Sequence, residues 1–261
     1  MGATMVRAGL AAGGAALVLI GGALAGCGDG GTERTRTTQA DGVERIQLEP
    51  GSGSVRIRYE RGARGEVRQI SHGPTDPGAK SRIENGTLVL DTDCGWNCDI
   101  RYEVTLPARL PVEGELGSGG LDVTNMSAVR ARVGSGTIDV RDVVGPVEVR
   151  TGSGGIRLTR ITGAVDAETD SGQVEGRELR GGDVRAHTGS GGVRLGLAEP
   201  RSVDADTGSG SIELDVPRVP YRVDSDTGSG SVSVDVPQDP ASPHHLRLST
   251  GSGSASVRAA G

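Results

Sequence analysis

Gly152-Ser153-Gly154-Gly155-Ile156-Arg157-Leu158 decides the fold: a glycine-rich corner leads at once into a run in which apolar and charged residues alternate. Alternation with a period of two is the mark of a half-buried β-strand, because successive side chains of a strand point to opposite faces. The same corner recurs with its serine at Ser118, Ser135, Ser153, Ser171, Ser190, Ser209, Ser229 and Ser252, in steps of 17, 18, 18, 19, 19, 20 and 23, with Asp170 replacing the first glycine once. The last step is stretched by a Pro- and His-rich insert around Pro240 to His245. Each unit also carries a second alternating segment, such as Val165-Asp166-Ala167-Glu168-Thr169. Near-constant spacing of this kind signals a stacked repeat.

Stacking can be tested within the sequence, since equivalent residues of successive coils become neighbours on one sheet face. The outward column of the first strand reads Asp122, Asp139, Arg157, Glu175, Arg194, Glu213, Ser233, Ser256, and from Asp139 to Glu213 the signs alternate. Opposite charges facing each other across strands are stabilising by roughly 0.2–1 kcal/mol per pair. The inward columns, Ile138, Ile156, Val174, Val193, Ile212, Val232 and Val140, Leu158, Gly176, Leu195, Leu214, Val234, are almost wholly aliphatic. The pattern predicts an all-β, single-stranded parallel β-helix, or β-solenoid, with coils of 17–20 residues. The alternative is an antiparallel β sandwich with glycine hairpins, because turn residues alone do not fix strand pairing.

Composition agrees with a narrow core. Phe is absent and aromatics make up 2% of the chain against 45 glycines, whereas a barrel or broad sandwich normally fills its interior partly with aromatic rings. The net charge of −6 argues against a nucleic-acid partner, which needs a concentrated positive field.

Arg7 is the only charge before an apolar, Ala- and Gly-rich run from Ala8 to Ala25, as in an export signal. Glycines at 9, 13, 14, 21 and 22 make that run a poor spanning helix. Leu24-Ala25-Gly26-Cys27 resembles the bacterial lipobox, which implies cleavage after residue 26, a thioether-linked diacylglycerol on Cys27, and a mature chain held on the outer face of the cell membrane. An ordinary cleaved signal with a spare cysteine is the alternative. Residues 27–42 read as the lipidated cysteine and a flexible tether, so the repeat domain is expected over 43–261, less regular over 43–116 and carrying the Gly-Ser-Gly repeats over 117–261. Outside the cytoplasm, the remaining cysteines, Cys94 and Cys98, point to a disulfide closing a small loop, with a zinc site needing two more ligands as the alternative.

Tyr102-Glu103-Val104-Thr105-Leu106-Pro107, leading through Val112 to Gly117-Ser118-Gly119-Gly120-Leu121-Asp122-Val123 and the coils that follow, resembles the bacterial "putative adhesin" family of β-strand repeat proteins of unknown function. The resemblance runs from about Ile46 to the C-terminus. It implies a right-handed β-helix on the bacterial surface and no activity.

Several constellations could carry chemistry. Asp206-Thr207-Gly208-Ser209 and Asp226-Thr227-Gly228-Ser229 repeat the Asp-Thr-Gly signature of aspartic proteases, but they lie 20 residues apart as neighbouring repeats rather than one per lobe, which argues against proteolysis. With sequential stacking, Asp204, Asp206, Asp224 and Asp226 form a patch of four carboxylates that reads either as a solvated acidic face or as a Ca²⁺ site. Trp96, inside the cysteine loop, is a candidate partner contact or a lid over the open end of the stack. His244 and His245 are a metal pair or an inert loop pair. A polysaccharide lyase would need a base, an acid and aromatic platforms together, which Tyr59, Tyr102, Tyr221 and Trp96 do not provide on one strand pair. The expected function is therefore that of an adhesin-like or envelope-binding module without catalysis or a required cofactor. The alternative is a structural or envelope-stress-linked surface protein that associates with itself through the ends of its stack, where Ser252-Gly253-Ser254-Ala255-Ser256-Val257-Arg258 stops without a cap.

Overall fold

The computed structural model describes Leu19–Ile20 and residues 32–260. Cys27 and the rest of the leader lie outside the described residues. Among the described residues every regular element is a strand, and the strands form two long sheets.

Each coil gives one strand to each sheet. The longer strands, Pro111–Ser118, Ala128–Ser135, Val147–Ser153, Val165–Ser171, Val184–Ser190 and Val203–Ser209, lie parallel in that order, with their corner serines in register. The shorter strands, Leu121–Thr124, Ile138–Arg141, Ile156–Thr159, Val174–Leu179, Val193–Leu197 and Ile212–Val216, form the second sheet in the same way. The parallel solenoid is thus the fold, and the antiparallel sandwich is not.

The corner explains the glycines. At Gly136, Gly154, Gly172, Gly191 and Gly210 φ lies between 137° and 152°, a region closed to residues with a Cβ. A Cβ there would also run into the carbonyl oxygen of the equivalent glycine one coil earlier, as at Gly191 against Gly172. That carbonyl has a second use. Thr151, Thr169, Thr188, Thr207 and Thr250, all buried, donate their hydroxyls at 2.9–3.1 Å to the oxygens of Gly136, Gly154, Gly172, Gly191 and Gly210. A buried hydroxyl without a partner is costly, so this ladder is what lets threonine sit in an otherwise aliphatic core.

That core is narrow. Ala131, Ala167, Ala186 and Ala205 line the sheet of longer strands where Val140, Leu158, Leu195 and Leu214 line the other, and all are buried. Gly176 breaks the aliphatic column because Leu179, displaced by a bulge in its strand, fills the space a side chain at 176 would need.

Sequence order and stacking order part at both ends. A Gly51-Ser52-Gly53 corner, not counted among the repeats above, bridges Ser52 to Ser118, and its strands Arg45–Glu49 and Gly53–Tyr59 form the first true coil. Between this coil and Pro111 the chain makes an excursion that covers the N-terminal end. Thr87–Asp91 and Ser81–Glu84 extend one sheet, and Asp99–Leu106 and Glu66–Gly73 extend the other. Buried Tyr102 and Gln69 tie this cover down, the first donating to Asp91 O at 2.9 Å, the second donating to Gly78 O at 2.7 Å. Thr32–Gln39 pairs antiparallel with Glu66–Gly73, which corrects the expectation of a flexible tether reaching to residue 42. Its threonines at 32, 35, 37 and 38 are β-branched and suit a half-buried strand better than a coil.

At the C-terminal end the last strands, His245–Ser252 and Ala255–Ala259, do not stack outside Arg222–Ser229 and Val232–Asp235. They slot between that pair and Val203–Ser209 with Ile212–Val216. The end of the stack is therefore formed by residues 222–235, and not by the uncapped final repeat expected above. The insert at 236–244 supplies the chain length to step back over a coil.

Two outcomes follow. Gly191→Ala lowers stability by more than about 2 kcal/mol in denaturant unfolding, since neither the backbone angle nor the neighbouring carbonyl can accept a methyl group. Paired cysteines at Glu213 and Ser256, which face each other in register, form a disulfide on oxidation. Paired cysteines at Glu213 and Ser233, two coils apart at about 4.8 Å per coil, do not.

Candidate binding surface

Intercalation of the last coil rearranges the acidic residues picked out from the sequence. Asp204 faces Arg247, and Arg247 faces Asp224; Asp206 faces Ser249, and Ser249 faces Asp226. On the other sheet Arg258 stands between Asp215 and Asp235. Sequential stacking would have set aspartate on aspartate at all three places, which is destabilising across a strand pair. The observed order replaces two of these clashes with an acid-base-acid row and spaces the third with a serine.

The expected adjacency of the four carboxylates is thus corrected: Asp204 and Asp206 line the same concavity as Asp224 and Asp226, but a whole coil carrying an arginine runs between them. Each pair also has its own histidine. His187 Nδ1 lies 2.8 Å from an Asp206 oxygen, and His245 Nε2 lies 2.6 Å from an Asp224 oxygen. The hydrogen bond to His245, aided by Arg222 at 3.3 Å, holds the Asp224 carboxyl below its ordinary value of 3.8. Among the described residues no group of three or more His, Cys, Asp or Glu side chains is arranged to hold a metal. Asp206 and Asp226 do not approach each other as a shared-proton pair requires.

The resulting surface is a shallow concavity across the outer face of the longer-strand sheet, lined by Arg185, His187, Asp206, Asp226 and Arg247. Its two columns mostly alternate along the stack, with one like-charged step in each, Arg132 on Arg150 in the one and Glu148 on Asp166 in the other. One runs Glu113, Arg130, Glu148, Asp166, Arg185, Asp204, Arg247, Asp224. The like-charged step from Glu148 to Asp166 is bridged by Arg150, whose guanidinium lies 3.1 Å from Glu148, 4.0 Å from Asp166 and 2.8 Å from Glu168. The opposite face has one such step, Asp122 beside Asp139, set among Arg56, Arg141 and Arg157. Glu213, paired with Arg194 at 3.1 Å, is likewise held below the usual carboxylate range. Chemically these faces hold charge in matched rows rather than converging it on one point.

Cys94 and Cys98 are joined in a disulfide, so neither is free as a zinc ligand. Trp96 in that loop is 89% exposed and does not pack over an end of the stack, so the lid reading falls. His244 and His245 face different partners, His244 tilting against the buried Tyr221 ring at 6.1 Å while His245 meets Asp224, and they form no metal pair.

A one-corner-per-coil parallel solenoid of glycine turns and charge-matched faces is the class the geometry defines. The chain belongs to the Toastrack DUF4097 family, which it matches over residues 43–260. No curated protein matches it. Among solved structures, a "putative adhesin" from Bacteroides fragilis shares the fold, with a TM-score of 0.50 at 18% identity over 86% of this chain and 96% of that one. A "putative adhesin" from Parabacteroides merdae gives 0.45 at 9% identity, over 86% of this chain and 95% of that one. A "putative cell adhesion protein" from Clostridium sporogenes gives 0.33 at 12% identity, over 88% of this chain and 99% of that one.

Arg247→Glu puts three carboxylates in one row. It is expected to lower stability by about 1–3 kcal/mol, whereas the unaltered chain, with Arg247 between the two aspartates, gives no saturable heat on calcium titration. Chemical denaturation and calorimetry check both.

Proposed function

We propose that this chain is a lipid-anchored, extracytoplasmic binding module that engages a component of the cell envelope or another surface without catalysing a reaction. The observation that carries the reading is Trp96, the only tryptophan of the chain, held 89% exposed on a loop closed by the Cys94–Cys98 disulfide. An indole is a large apolar surface that normally avoids water, and a short cross-linked loop presents it with little conformational entropy left to lose on binding. Aromatic anchors of this kind dominate many interfaces. The leader ending in Leu24-Ala25-Gly26-Cys27 and a disulfide that persists in oxidising compartments support placement outside the cytoplasm. Matched charge rows, which offer no convergent acid, base and nucleophile, support binding over chemistry.

Because Trp96 is the sole indole, its emission reports directly on engagement. Emission characteristic of water-exposed tryptophan should shift to the blue when isolated cell-wall sacculi or lipid vesicles containing the true target are added, and Trp96→Ala should abolish sedimentation with that material. Sedimentation without an emission shift would remove Trp96 from the contact. In the producing cell, Cys27→Ala should move the chain from the membrane fraction to the soluble one.

A further inference from the structure

The C-terminal end of the stack is open in a particular way. From Gly119 onward, each second corner glycine donates its N–H to the corner serine carbonyl of the next coil: Gly119 to Ser135, Gly136 to Ser153, and so on through Gly210 to Ser252 and Gly253 to Ser229, at 2.7–3.0 Å. A second row runs beside it and ends with Ala255 donating to Ser231 at 3.0 Å. The next donors in line are Gly230 N–H and Val232 N–H, and among the described residues no strand lies beyond them. The threonine ladder stops at the same place: Thr227 reaches Gly253 O at 3.0 Å, and the Gly230 carbonyl, next in turn, receives no hydroxyl. Inward positions that are buried in every inner coil are open here, with Val232 41% exposed and Ser225 exposed.

The side chains on this edge carry a sign. Asp224, Asp226 and Asp235 occupy outward positions together with Arg222; Asp224 is paired with Arg222 and His245, whereas the coil beneath leaves Asp226 against Ser249 and Asp235 against an Arg258 that also reaches Glu213 at 3.7 Å. Docked antiparallel on a second copy about Ser225, the strand Arg222–Ser229 would set Asp224 against Asp226 twice, which disfavours self-pairing in that register.

The required occupant can be read from the chain itself. Laid on this edge in the register that all the coils share, residues 128–141 would place Arg130 over Asp224, Arg132 over Asp226 and Arg141 over Asp235. Val129, Ile138 and Val140 would fall on Val223, Val232 and Val234. That coil is committed to the middle of the stack. Its pattern nevertheless defines what fits.

We propose that the edge formed by residues 222–235 is a strand-acceptor site for an extended polypeptide with basic residues at alternating positions, which adds as the next coil. Backbone pairing to Gly230 and Val232 would supply affinity, and the three carboxylates would select the sequence. The inference deepens the binding reading by naming a second contact and its partner class, and its failure would leave the Trp96 contact standing, since that is read from the indole's own emission.

The test is a fluorescence-anisotropy titration of the full chain with a synthetic, end-blocked peptide of residues 128–141. Saturable binding is expected, about tenfold or more weaker for a peptide with Arg130, Arg132 and Arg141 changed to Glu. The Asp226→Asn/Asp235→Asn chain should lose affinity in the same direction, and hydrogen exchange at Gly230 and Val232 should slow on binding. Absence of saturable binding, equal binding of the reversed peptide, or protection confined to other residues would overturn the proposal. A chain that sediments as a dimer with Gly230 and Val232 already protected would overturn it in favour of a second copy.

Discussion

The close approach of one glycine to the carbonyl of the glycine beneath it governs the rest of this structure. It sets the spacing at which coils can lie, and that spacing brings a buried threonine hydroxyl within 2.9–3.1 Å of the same oxygen. A single carbonyl therefore accounts for the absence of a Cβ at the corner and for the presence of a polar residue in the core. Remove the approach and both the corner and the threonine column lose their partners. Everything else in the coil has more latitude: alanine, valine and leucine exchange places along the inward columns as long as the two sheets remain about equally far apart.

Charge acts at a different level, choosing among arrangements that the corner would equally permit. Either order of the coils 222–235 and 245–259 satisfies glycine stacking and the serine register, but the sequential one would bury Ser225 in the column that Ala205 and Leu248 fill. Only the intercalated order puts Arg247 between Asp204 and Asp224 and Arg258 between Asp215 and Asp235. Exposed pairs worth a few tenths of a kilocalorie each thus act in the same direction as keeping Ser225 at the open end. The same logic leaves the outermost coil ending on carboxylates, giving the stack two chemically different ends.

Much of this was legible in the residues. The serine steps, the inward columns and the alternating outward column identified the parallel solenoid and its register from Ser118 to Ser209, because repetition lets each position be checked against its neighbours. What was not legible lies where repetition fails. Ser52 went uncounted because a long excursion separates it from Ser118, though Val55-Arg56-Ile57 after it has the strand pattern. The order of the final coils was hidden because spacing reports distance along the chain and not direction along the stack. The signal was present in the 23-residue step and in the aspartate clashes that sequential order would create. Of the candidate sites, the Cys94–Cys98 bond followed from compartment and count. The direct adjacency of the aspartates failed because it assumed sequential stacking.

A solenoid is ordinarily a structure that can be completed as it emerges, each coil resting on the one made before it. Here the strands 222–235 leave the ribosome ahead of 245–259, yet in the finished molecule they rest on them. Until residues 245–259 arrive, that coil either pairs with Val203–Ser209 in the acid-on-acid order or waits unpaired. Residues 245–259 thus act as a keystone, inserted between stones already cut. A chain lacking residues 245–259 would keep a well-formed body of inner coils but could not seat 222–235 in this order.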